Sequence, residues 1–138
     1  MREGGSAGFL DTSVLVRYMT GDPPQMAEQA ARILDSEKPL FLSEIALLET
    51  AHVLTSFYEV PRSALVDALV ALVQKSNLIL TTLPKARVVE ALHLCRASKR
   101  YSVTDALLWA QARELGAERI YSFDRRFPDQ GITVTGSE

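Results

Sequence analysis

Apolar and polar positions alternate along this chain in two rhythms, short β-type runs and longer stretches with helical spacing. Ala7 to Leu10 reads as a first strand, and Asp11-Thr12-Ser13 ends it with residues that cap helices. A short helix follows over Val14 to Met19, stopped by Gly21-Asp22-Pro23-Pro24. Asp22, with Pro23 at the first helical position, opens a helix to about Ser36. Pro39 to Leu42 is a second strand, and Ser43 caps a long helix through Phe57. Pro61 starts a helix with Leu65, Leu69, Leu72 and Val73 at core spacing. Leu78 to Leu80 is a third strand. Pro84 opens a helix to about Lys99, and Ser102 opens one that ends at Gly116, a residue typical of the position just past a helix. Arg119 to Ser122 and Ile132 to Val134 complete the strands. Strands separated by helices predict an α/β fold: a short, mostly parallel central sheet of four to five strands, with helices on both faces.

Composition adds limits. A chain of 138 residues, 47% hydrophobic and 23% charged, has the size and make-up of one globular domain. We expect a single domain over residues 1–138, with 1–7 as a flexible extension. No signal-like or membrane-spanning run is present, so a cytoplasmic protein with no membrane attachment is the default expectation. The lone cysteine, Cys95, excludes an internal disulfide and multi-cysteine metal motifs, and its apolar neighbours make it a core thiol.

Charge is unevenly spread. Residues 1–84 carry a net −4, residues 85–126 a net +4, and the whole chain −2. A basic segment in an acidic protein suits an anionic substrate, although a solvated helix face would look the same. Arg96, Lys99, Arg100, Arg125 and Arg126 are the candidate cations of that segment for binding such a substrate.

The chemistry-bearing pattern is acidic. Ligand sites in parallel sheets gather beyond the carboxyl ends of the strands. Asp11 and Asp124 follow the first and fourth strands, Glu49 lies within the helix after the second, and Asp105 in the first turn after Ser102. Each has a plainer reading: Asp11 as a helix cap, Asp105 as a capping-box acid, Asp124 as an Asx turn. Glu49 has the weakest such reading. It sits on the Ile45–Val53 ridge of an apolar helix, where an uncompensated carboxylate costs several kcal/mol by order of magnitude, unless Arg17, a histidine or a cation answers it. Four carboxylates at one point repel unless a divalent cation neutralises them, and oxygen-only ligands favour Mg²⁺ or Mn²⁺ over zinc. Such a centre, beside basic residues, is equipped for phosphodiester hydrolysis.

Four blocks then fall into a known order. Phe9-Leu-Asp-Thr-Ser-Val-Leu15, Leu42-Ser-Glu-Ile-Ala-Leu-Leu-Glu49, Ser102-Val-Thr-Asp-Ala-Leu-Leu108 and Tyr121-Ser-Phe-Asp-Arg-Arg-Phe127 resemble the signature blocks of PIN-domain ribonucleases. Length and element order resemble the VapC toxins of toxin–antitoxin pairs. The resemblance implies a Mg²⁺- or Mn²⁺-dependent endoribonuclease acting on single-stranded RNA regions. It implies Asp11, Glu49, Asp105 and Asp124 as the catalytic, metal-holding acids, with Asp11 and Asp105 the nearest ligands and Ser13 and Ser122 supporting them. It also implies a homodimer and a small antitoxin that plugs the groove. Relatives often carry a further acid two residues after the fourth, where this chain has Arg126. One or two ions therefore both stay open, and Arg126 becomes a candidate phosphate contact.

Other classes remain in view. A haloacid-dehalogenase-like phosphatase needs a second aspartate where Ser13 stands. A receiver domain usually wants a lysine after the last strand, and residues 131–138 contain none. A degenerate PIN domain that only binds RNA or protein is the non-enzyme alternative.

Overall fold

In the computed structural model, which describes residues 7–96 and 99–136, local sequence signals fix most element boundaries. The anticipated N-terminal extension falls almost wholly outside the described residues. Strand β1 (Gly8–Phe9) is followed by helices α1 (Thr12–Thr20) and α2 (Pro24–Leu34), strand β2 (Leu40–Leu42), and helices α3 (Glu44–Ser56) and α4 (Arg62–Val73). Then come β3 (Leu78–Leu80), α5 (Lys85–Arg96), α6 (Val103–Leu115), β4 (Arg119–Tyr121) and β5 (Thr133–Thr135).

Caps explain the starts. Asp11, Ser43 and Ser102 are extended N-cap residues whose side chains accept N–H bonds from the first turns of α1, α3 and α6. Gly21 and Gly116 end α1 and α6 in the left-handed conformation, which glycine enters without a Cβ penalty. Two starts differ from the sequence reading. Helix α1 begins directly at Thr12, because Asp11 caps it. At α2, Pro24 rather than Pro23 takes the first helical position, and Asp22 is not the cap.

All strand pairs are parallel, and the five strands form a three-stranded sheet β1-β2-β3 and a separate pair β4-β5. The α/β class and strand number match expectation, but the single continuous sheet does not. Coverage on both faces is likewise corrected. Leu40 and Leu78 are in register and buried on one face, whereas Phe9, Phe41 and Ile79 form an exposed row on the other. Period-two alternation of this kind belongs to a sheet with one covered face.

The core lies on the covered face. Leu42, Leu47, Leu65, Leu69, Val73, Leu78, Val88, Leu92 and Trp109 are all essentially solvent-free within it. Helix α3 packs on α1, α4 and α6, and α5 packs on α4 and α6. The helices carrying Glu49 and Asp105 are thereby neighbours, as are the helix carrying Glu49 and the helix that Asp11 caps. Cys95 sits in this core, and burial pushes its thiol up to about 11. Among the described residues no helix is long and apolar enough to cross a membrane.

Candidate active site

Helix α3 buries Ala46, Leu47, Thr50, Ala51 and Leu54. That stripe turns Ile45, which is 76% exposed, and Glu49 outward. The Ile45–Glu49 ridge is therefore a rim facing α1, not the buried face that the sequence suggested. Glu49 needs no burial compensation, and Arg17 forms no ion pair with it. Instead Thr12, at the first turn of α1, donates its hydroxyl to Glu49 Oε1 at 3.0 Å.

The same turn holds Asp11. Its Oδ2 accepts the Ser13 hydroxyl at 2.6 Å and the Ser13 N–H at 3.1 Å. These bonds, the hydroxyl foremost, hold the exposed Asp11 carboxyl below the usual carboxylate range. Asp11 is thus both a helix cap and an ionised, accessible oxygen donor.

Asp105 stands in the first turn of α6. Its backbone N–H donates to the Ser102 hydroxyl at 2.9 Å, while no return bond from its carboxylate to the Ser102 N–H is found among the described residues. The capping box is therefore half made. Asp124 follows β4 in a local turn. Its N–H donates to the Ser122 hydroxyl at 3.0 Å, and its Oδ1 accepts the Arg126 N–H at 2.8 Å, which is the Asx turn of the plainer reading. Trp109 and Arg113 of α6 both donate to the Gln130 carbonyl at 2.8 Å, which anchors the segment after this turn onto α6.

The structure therefore joins Asp11 and Glu49 through Thr12 and places α6 beside α3. Among the described residues it gathers no three His, Cys, Asp or Glu side chains in a group that could hold a metal ion. By chemistry the four acids suit a hard divalent cation, being oxygen-only donors. None of them forms an ion pair among the described residues, whereas Asp35, Asp67, Glu28, Glu90 and Glu114 all do.

The basic candidates separate as well. Arg96 is committed to Asp67, with Nε and an η-nitrogen bonding the two carboxylate oxygens at 2.7 and 2.9 Å. Lys99, Arg100, Arg125 and Arg126 are exposed, and Arg100 lies over the Tyr101 ring.

One acid escaped the sequence reading. Glu44, only 6% exposed at the start of α3, accepts bonds from the Thr81 hydroxyl (2.5 Å) and from the N–H groups of Thr82 (3.1 Å) and Leu83 (2.9 Å). Burial pushes its carboxyl up, but these bonds outweigh burial and hold it below its ordinary value. It ties the start of α3 to the loop leaving β3. The available signal was an acid directly after the Ser43 cap, followed by an apolar helix.

Of the four acids, Asp11 stands where a strand gives way to a helix, Glu49 lies within α3, Asp105 in the first turn of α6, and Asp124 in the turn after β4. The sequence profile of the PIN domain matches residues 8–132, and the chain belongs to the PIN-domain family. A solved structure of the VapC20 toxin of Mycobacterium tuberculosis, described as cleaving the sarcin–ricin loop, is similar at 24% identity. That match covers 92% of this chain and 97% of the other, with a TM-score of 0.42. No curated protein matches the chain.

Proposed function

We propose that this protein is a divalent-cation-dependent endoribonuclease that hydrolyses single-stranded RNA, and that it serves as the toxin of a toxin–antitoxin pair. Membership of the PIN-domain family over residues 8–132 carries the nuclease reading. The observation that carries the site is the Asp11–Thr12–Ser13 turn, which holds an ionised Asp11 beside Glu49.

Each residue has a definite task in this reading. Asp11, Glu49, Asp105 and Asp124 are the oxygen donors for Mg²⁺ or Mn²⁺. A bound cation supplies Lewis-acid polarisation of a phosphoryl oxygen and a more acidic water. Ser13 and Thr12 fix the two carboxylates at α1, and Ser122 supports the Asp124 turn. Lys99, Arg100, Arg125 and Arg126 offset phosphate charge along the RNA. A small antitoxin, a homodimeric state and a cytoplasmic setting belong to the same proposal.

One observation favours a second reading. Because no three acids stand in a metal-holding group among the described residues, a PIN domain that binds RNA without cutting it is the competing account. Incubating the protein with a labelled single-stranded RNA in Mg²⁺, in Mn²⁺ and in chelator separates the two. Cation-dependent cleavage supports the nuclease. Binding without cleavage in either metal supports the binding module.

A further inference from the structure

Arg17 is the charged residue near this site that the proposed reaction leaves without a task. It lies one turn beyond Ser13 on α1, and its Nε is buried with no hydrogen-bond partner among the described residues. Buried polar atoms almost always find partners, and an unpaired donor on a guanidinium is costly to keep out of water. The half-buried side chain borders a small cleft of about 110 Å³ between α1 and α2. Val14, Met26, Ala30 and Ile33 give that cleft apolar walls, and Ser13, Arg17 and Gln29 give it polar groups. Ser13 is also the residue whose hydroxyl bonds Asp11, so the cleft opens directly beside the acidic turn.

From this juxtaposition we infer that the α1–α2 cleft is a subsite for one unpaired nucleobase of the RNA, with guanine preferred. The inference rests on the RNA reading above. Pocket chemistry decides between the parts of a nucleotide. A phosphate would place a full charge against apolar walls. A base brings flat apolar faces for Met26 and Ile33 and a polar edge for the groups between them. The cleft is far smaller than a site for a whole small ligand, which suits a single inserted ring. Single-stranded RNA is read in this manner, by bases splayed out and bonded along their edges. Guanine presents two acceptors, O6 and N7, on one edge, and arginine is the side chain that most often reads them together. Gln29, an amide on the facing helix, supplies a second polar contact to the same ring.

The test is binding of two labelled RNA pentamers, UUGUU and UUUUU, to the intact protein by fluorescence anisotropy, once in chelator and once in millimolar Ca²⁺. The parent is expected to prefer UUGUU by roughly tenfold. Arg17→Lys keeps the charge but loses the planar fork, so it should bind UUUUU as the parent does and lose most of the guanine preference. Gln29→Leu alters an exposed position on α2 and should weaken the same preference without unfolding the protein. Equal affinity of the parent for the two pentamers, with both bound, would overturn the subsite and leave the RNA reading standing. A preference that survives in both variants would overturn the assignment to Arg17 and Gln29. Failure of the parent to bind either pentamer would overturn the RNA reading and the subsite together.

Discussion

The Thr12 hydroxyl donates to Glu49 Oε1 at 3.0 Å, across 37 residues of sequence. This bond places the acid of α3 on the turn that also carries Asp11, and it does so at the surface, where neither residue is held by packing alone. Replacing Thr12 by Val removes the donor while keeping shape. We expect a stability loss of roughly 1 kcal/mol or less, since an exposed neutral donor gives a modest net bond. RNA cleavage should fall, but by less than in Glu49→Gln, which removes the anionic oxygen itself. Paired melting curves and cleavage rates check both expectations.

Glu44 gives a stability prediction with a definite pH sign. Glu44→Ala strands the N–H groups of Thr82 and Leu83 that its carboxylate now accepts. The loss should be roughly 3 kcal/mol, because bonds to a charged acceptor are stronger than average and unpaired buried donors are penalised. Its folded carboxyl lies below the ordinary value of 4.5. The contribution is therefore present above that value and lost as pH falls through the lower folded value. Denaturant titrations from pH 7 down to pH 3 should show parent and Glu44→Gln converging in stability at the acid end.

The basic residues near the end of α5 should not act alike. Arg96 is paired with Asp67 on the surface, so Arg96→Ala should change stability little and leave the salt dependence of RNA binding nearly unchanged. Lys99→Ala should weaken binding to all RNA sequences and reduce the salt slope by about 1. Equal effects of the two substitutions on the slope would contradict this division.

Cys95 should be inert in the folded protein. It is fully buried and its thiol is pushed up to about 11, so the reactive thiolate is scarce at pH 8. A disulfide reagent should titrate no thiol under native conditions and one after denaturation.

The helices were readable because their signals are local. Ser43, Ser102 and Gly116 mark their own boundaries, and the caps sit where the sequence places them. Sheet order was not readable. A strand of three residues such as β4 (Arg119–Tyr121) carries few ladder bonds and no side-chain pattern that names its neighbour. The face of α3 was also misjudged. Its apolar residues surround the helix, and only packing against α1, α4 and α6 decides that Leu47 turns in while Ile45 and Glu49 turn out. Asp11 and Asp124 were legible as residues following strands, and both prove to be local caps or turns as well, since one carboxylate oxygen can cap while another stays available. Glu44 and the Arg17 cleft were missed because their partners, Thr81 to Leu83 and Gln29, lie elsewhere in the chain and are brought near only by folding.

The central claim, that the acid at α1 is a cation ligand and not merely a helix cap, is tested most directly by the metal-induced shift in melting temperature. Asparagine caps a helix about as well as aspartate, so Asp11→Asn should match the parent in chelator. In millimolar Mn²⁺ or Mg²⁺ the parent should melt at a higher temperature than in chelator, because a ligand that prefers the folded state stabilises it. The variant should shift by much less. An equal shift in the two proteins, or none in the parent, would contradict the account.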